Sequence, residues 1–230
     1  AIGYDALTAN TTGASNVAVG KDALLANTTG DSNIAIGADA LETNTTASYS
    51  IAIGRQALQD NAGSSNIAIG YLSLADNTTA AYNTSIGRSA MRDNTTGGSN
   101  TAIGYLALHA NTTADNNVAI GRAALTANTT GNANIAIGNY TLDATTTGTH
   151  NIGMGYAALT TNTTGTGNTA MGYAALYLSA TADYNTAIGH NSLYNNVADY
   201  NTALGKDTLL ANTTGTRNVA IGPFSLDANT

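Results

Sequence analysis

Asn100-Thr101-Ala102-Ile103-Gly104-Tyr105-Leu106-Ala107-Leu108-His109-Ala110-Asn111-Thr112-Thr113 is one copy of a pattern that recurs along the whole chain. A short extended triplet, Thr101 to Ile103, runs into Gly104; a leucine follows four residues on at Leu108, and an Asn-Thr-Thr turn leads to the next copy. Glycines closing the equivalent triplet stand at Gly3, Gly20, Gly37, Gly54, Gly70, Gly87, Gly104, Gly121, Gly138, Gly155, Gly172, Gly189, Gly205 and Gly222. Eleven of the thirteen intervals are 17 residues and two are 16. A short period with no unrelated insert is the mark of a solenoid, in which each repeat is one turn and neighbours bury each other's apolar face. The expectation is an all-β parallel β-solenoid, or β-roll, of about 14 coils, with residues 1–230 as one repeat domain. Because the repeat runs to both ends, the chain reads as a segment of a longer fibrous protein.

Only 9% of the residues are charged and 6% aromatic, so the coils must be thin. The apolar residues arrive in a strict pattern, unlike the low-hydrophobicity, high-charge composition of disordered chains. A net charge of −7 and the absence of any Lys/Arg cluster oppose nucleic-acid binding. Without cysteine there is no disulfide framework and no thiolate zinc site. No apolar run reaches the roughly 20 residues of a membrane span.

The columns of the repeat carry the structural argument. Asn16, Asn33, Asn66, Asn83, Asn100, Asn117, Asn134, Asn151, Asn168, Asn185, Asn201 and Asn218 stand four residues before their glycines, with Ser50 the exception. Such a column predicts a ladder of amides that bond along the stack or satisfy backbone at a corner. The next residue is Val, Ile or Thr, and the residue before the glycine is Val, Ile, Leu or Met. Being two apart, they share a face, which we read as the coil interior. Between them lies Ala, Ser or Gly only, a restriction that predicts close approach by another backbone, that of a second layer or, in preference, of a neighbouring chain. The Leu column supplies the second wall, and Asn-Thr-Thr-Gly the return loop, where Asn and Gly accommodate left-handed conformations. The two 16-residue coils drop one loop residue, at Asn61-Ala62-Gly63 and Asn196-Val197-Ala198. Pro223 and Phe224, each the only residue of its kind, are read as announcing a change of architecture beyond Thr230, an expectation only.

The run Asn33-Ile34-Ala35-Ile36-Gly37 resembles the head repeat of YadA-like trimeric autotransporter adhesins, and the longer copy with Ala-Leu and Asn-Thr-Thr-Gly is similar to repeats of phage tail fibres. The resemblance implies a left-handed parallel β-roll, a homotrimer, and an extracellular attachment fibre on a cell or virion surface that contacts a host-surface glycan or protein receptor. Residue spacing alone yields a solenoid.

No constellation for chemistry emerges. His109, His150 and His190 occupy different positions of different coils, and no phosphate-binding loop or nucleophile elbow occurs. We therefore expect a non-catalytic chain with no catalytic, cofactor-binding or metal residues and no cofactor. Asp60, Asp76 and Asp93 fall at the same offset of three consecutive coils, a spacing that could hold a cation but is better read as a solvated face beside Arg55, Arg88 and Arg92. Tyr4, Tyr71, Tyr105, Tyr156 and Tyr173 follow their glycines directly, a column able to stack on sugars or merely to cover the coil edge. Asn10, Asn27, Asn44, Asn77, Asn94, Asn111, Asn128, Asn162 and Asn212 each open an Asn-Thr-Thr acceptor pattern for N-glycosylation that the turn also explains. Besides the fibre, two other readings remain: an ice-binding solenoid, and a self-assembling surface filament that binds no receptor.

Overall fold

The computed structural model describes residues 1–229 and falls into two compact units, Ala1–Asn116 and Asn117–Thr230, built from the same coil. The first unit contains β1 (Val17–Val19), β2 (Ile34–Ile36), β3 (Ile51–Ile53), β4 (Ile67–Ile69), β5 (Thr84–Ile86) and β6 (Thr101–Ile103). The second contains β7 (Val118–Ile120), β8 (Ile135–Ile137), β9 (Ile152–Met154), β10 (Thr169–Met171), β11 (Thr186–Ile188), β12 (Thr202–Leu204) and β13 (Val219–Ile221). Within each unit the strands pair in chain order, parallel and in register, so that Ala35 lies beside Ala52 and Ile36 beside Ile53. One repeat is therefore one turn of a parallel β-solenoid. The first repeat contributes only a bridge from Ile2 to Val19, which leaves thirteen strands for fourteen marker glycines. No helix occurs among the described residues.

The two faces of each strand are the reverse of the sequence expectation. The central small residue points inward: Ala35, Ala52, Ala68 and Ala102 are fully buried, whereas Ile36 and Ile53 on the flanks remain 40% and 37% exposed. The reason is the width of the coil. The interior is filled from the opposite wall by Leu24, Leu41, Leu58, Leu74, Met91 and Leu108 in the first unit and by Leu125, Leu142, Leu159, Leu176, Leu193 and Leu209 in the second, all fully buried. Only a methyl-sized group fits against them. At Gly153 even a methyl group would not, because a Cβ there would lie 2.6 Å from Cγ2 of Thr141 and 3.3 Å from Cδ1 of Leu142. The small-residue column is thus small because of packing within one chain, and its assignment to a contact between chains is overturned.

Turns between the strands are built from left-handed residues. Leu24, Leu41, Leu58 and Leu74 have φ near 50°, and the residue two before each, Asp22, Asp39, Gln56 or Leu72, has φ between 56° and 60°. The two N–H groups then point opposite ways along the stack: Asp22 donates to Tyr4 O in the preceding coil at 2.9 Å, and Leu24 to Ala40 O in the following one at 3.0 Å. A left-handed non-glycine residue costs about 1–2 kcal/mol. Glycine would avoid that strain but would surrender a buried leucine worth about 2 kcal/mol in transfer free energy alone, with a cavity left behind. Burial wins, and leucine keeps the position. The marker glycines meet a harder constraint. Gly70 has φ 135°, and a Cβ there would sit 2.6 Å from the carbonyl oxygen of Gly87 in the next coil.

Two asparagine columns hold the loop against the core. In the one expected from the sequence, the Asn33 amide donates to Ala47 O at 2.8 Å, while its Oδ1 accepts the backbone N–H of Ser50 at 3.0 Å. The second column is the asparagine of the Asn-Thr-Thr turn. Asn44 Nδ2 donates to Asn27 Oδ1 at 3.0 Å and to Ala47 O at 3.1 Å, and both asparagines are fully buried. The loop is therefore not organised by a left-handed Asn or Gly in Asn-Thr-Thr-Gly; its left-handed residue is the one before the first column, such as Ser32 at φ 57°. The shortened loops preserve the ladder: Asn61 reaches Gly63 O two residues on instead of three, and still accepts from Asn77 at 2.8 Å. The coil geometry persists to Leu226 at φ 51°, past Pro223 and Phe224; Thr230 lies outside the described residues.

Candidate functional site

Most residues singled out for chemistry are absorbed by the coil. Buried Asn27, Asn44, Asn77, Asn94, Asn111, Asn128, Asn162 and Asn212 sit inside the solenoid, where a glycan on Nδ2 has no room. The hydroxyl of the first threonine of the same turn is engaged as well, Thr28 Oγ1 donating to Thr45 O at 3.1 Å and Thr78 to Thr95 O at 2.9 Å. His109 lies 3.5 Å from Asp93, His190 stacks on Tyr173 and lies 3.8 Å from Asp207, and His150 occupies a left-handed loop position at φ 58°. Among the described residues no group of three His, Cys, Asp or Glu is placed to hold a metal, and the column Asp60, Asp76, Asp93 is no exception. Burial raises the carboxyl pKa of Asp76 above the usual aspartate value; Arg92 opposes that shift, while Asp93 and Asp60 add to it. Among the described residues no helix is long and apolar enough to cross a membrane.

The tyrosine column behaves differently in the two units. In the first, Tyr71 lies between guanidinium groups, with Arg55 at 6.0 Å and Arg88 at 5.9 Å from the ring centre, and Arg88 also lies 5.9 Å from the Tyr105 ring. Alternating Arg and Tyr directly after the glycine thus forms a cation–π ladder along one edge. In the second, tyrosines meet tyrosines. Tyr156 and Tyr173 stack at 5.5 Å with planes 10° apart, and Tyr140 packs its edge against Tyr156 at 5.8 Å. Four residues after this column a second stack forms, Tyr177 on Tyr194 at 4.9 Å and 4°.

Between the two stacks lies a groove of about 480 Å³. Ala157 and Ala174, nearly buried, occupy the position where other coils carry Asp22, Asp39 or Gln56, and their small size leaves the groove open. Asp143 and Thr160 close one end; the threonine hydroxyl donates to Asp143 Oδ1 at 2.8 Å and lies 2.7 Å from Tyr140 O. Partial burial raises the Asp143 carboxyl pKa, and the hydrogen bonds from Thr160 and the local backbone hold part of that rise back. The groove therefore offers aromatic carbon, phenol hydroxyls and one carboxylate with a preset neighbour.

The sequence already marked Tyr156 and Tyr173. It did not reveal Tyr140, Asp143, Thr160, Tyr177 and Tyr194 as their partners. Superposing the 17-residue repeats would expose that signal, because Asp143, Thr160, Tyr177 and Tyr194 share one offset from consecutive glycines and the two alanines share another.

Searched against protein-family models, curated proteins and solved structures, the chain has no significant match.

Proposed function

We propose that this chain is a non-catalytic shaft or head segment of an extracellular attachment fibre, assembled as a parallel homotrimer on a cell or virion surface. The observation that carries the reading is the outer face of the strands. Val17, Ile34, Ile51, Ile67, Thr84 and Thr101 form one outward column of the first unit, and Val19, Ile36, Ile53, Ile69, Ile86 and Ile103 the other, without one charged residue. The second unit repeats this with Val118 to Val219 and Ile120 to Ile221. A strand facing only water has no reason to exclude Lys and Glu, and an uncharged, largely apolar stripe that stays partly exposed marks an association surface. Three such stripes meeting on an axis would bury one another, leaving the loops and tyrosine edges outside. The two threonines of each turn are adjacent, and the first donates its hydroxyl along the stack, which weighs against an ice-binding surface built of alternating Thr-x-Thr strands. The groove contains a single carboxylate, whereas glycoside hydrolysis uses a pair, so it favours binding over turnover.

The test is the oligomeric state. By light scattering or sedimentation the purified chain is expected to be a trimer. Ile53→Asp combined with Ile103→Asp should release monomers that keep the β-rich circular dichroism spectrum, while Thr113→Asp in the loop should leave the trimer intact. A monomeric wild type would overturn the assembly.

A further inference from the structure

The groove between the tyrosine stacks has a chemistry of its own. Its walls come from Tyr156 and Tyr173 on one side and Tyr177 and Tyr194 on the other, and its floor is two alanines, at an offset where most other coils carry a larger side chain such as Asp22, Gln56 or Leu72. Four consecutive repeats, those of Tyr140, Tyr156, Tyr173 and Tyr194, contribute to it. At the 4.7–4.9 Å spacing of paired strands the groove therefore runs about 14 Å along the stack. That is a short trough, long enough for an oligosaccharide and too narrow, between ring walls over an alanine floor, for a folded partner. Aromatic walls accept the C–H face of a pyranose ring, and the phenol hydroxyls and Asp143 supply acceptors for its hydroxyl edge. Asp143 is oriented by Thr160 at 2.8 Å before any ligand arrives. No Lys or Arg lines the groove, so nothing in it would pair with a sulfate or carboxylate.

We propose that the groove lined by Tyr156, Tyr173, Tyr177 and Tyr194, with Asp143 and Thr160 at its end, binds a neutral oligosaccharide. The proposal rests on the attachment reading above and names the class of ligand for it. Asp143 orders the sugar by accepting from two neighbouring hydroxyls, and the ring stacks select for a pyranose with an unhindered apolar face. In a trimer each copy would contribute one groove, so that three weak sites could act together on a glycan-coated surface.

The test uses the intact chain, titrated by calorimetry with maltotriose, cellotriose, triacetylchitotriose, sialyllactose and tetramethylammonium. Saturable binding of at least one of the three neutral trisaccharides, weakened tenfold or more by both Tyr177→Ala and Asp143→Asn but unchanged by Tyr4→Ala outside the groove, supports the proposal. Thermal melts of each variant establish that the fold survives, and Asp143→Asn, which keeps the side-chain shape, guards against a loss due to unfolding. Absence of neutral trisaccharide binding up to 20 mM, binding confined to sialyllactose or tetramethylammonium, or equal affinity in the wild type and both groove variants would overturn it. Light scattering on the same samples separates the two ideas: a trimer that binds no sugar overturns the groove alone, and a monomer that binds sugar overturns the fibre alone.

Discussion

At the scale of single residues, the repeat is governed by volume across a narrow interior. The residue before each leucine faces the centre of the next strand, and the two sizes are matched. Where the strand carries Ser85, the opposing Ser73 donates to its hydroxyl at 2.8 Å; where the strand carries Gly153, Thr141 fills the space instead. Gly153→Ala should destabilise the protein by about 1–3 kcal/mol through overpacking, and adding Thr141→Ala should recover most of the loss. Urea titrations of the single and double variants check this; simple additivity would mean that the two side chains do not share the site. The left-handed leucines could not have been read from the chain, because intrinsic preference argues against leucine there and only the combined demands of burial and two-sided hydrogen bonding reverse it.

Taken as elements, the strands and ladders separate what a sequence can announce from what it cannot. Alternation told that Ile34 and Ile36 share a face, since that follows from strand geometry alone. It could not tell which side is inside, because alanine and isoleucine are both apolar and the outward columns are not polar. The decision belongs to the leucine wall, which already fills the interior. The Asn33 column was legible, having no rival explanation, whereas the buried Asn44 column was hidden by its resemblance to an ordinary turn. Half of the tyrosine groove was visible for a similar reason: Tyr156 and Tyr173 repeat an obvious position, but Tyr177 and Tyr194 acquire meaning only when coils are stacked. The inner ladder also contains a flaw. Thr145 and Ser179 stand where other coils have asparagine, and the buried Asn162 Oδ1 and Ser179 Oγ find no hydrogen-bond partner. Ser179→Asn should supply the missing donor and raise stability by about 1 kcal/mol. The urea midpoint should rise accordingly, and an unchanged or lower midpoint would show that the gap is tolerated without cost.

For the molecule as a whole, stability in each unit is a sum of similar coils and the contacts between neighbours. Removing Tyr71 to Gly87, one complete repeat, joins Gly70 to Arg88 and takes out Ser73 and Ser85 together, so the remaining columns stay aligned. That deletion should fold with an unchanged circular dichroism spectrum per residue and a modestly lower melting temperature. Removing only Tyr71 to Thr79 should abolish the transition, since every later column would meet the wrong partner. Similar melting behaviour of the two deletions would mean that register is not what the stack enforces. The direction of the inner ladder has a last consequence. Asn27 gives its amide hydrogen to Asn10, Asn44 to Asn27, Asn77 to Asn61, Asn94 to Asn77 and Asn111 to Asn94, always towards the lower-numbered coil. Side-chain amide dipoles aligned head to tail reinforce one another instead of cancelling. The column in the first unit is therefore electrically polarised along its length, and it possesses a sense, like a row of magnets, that its repetitive sequence does not advertise.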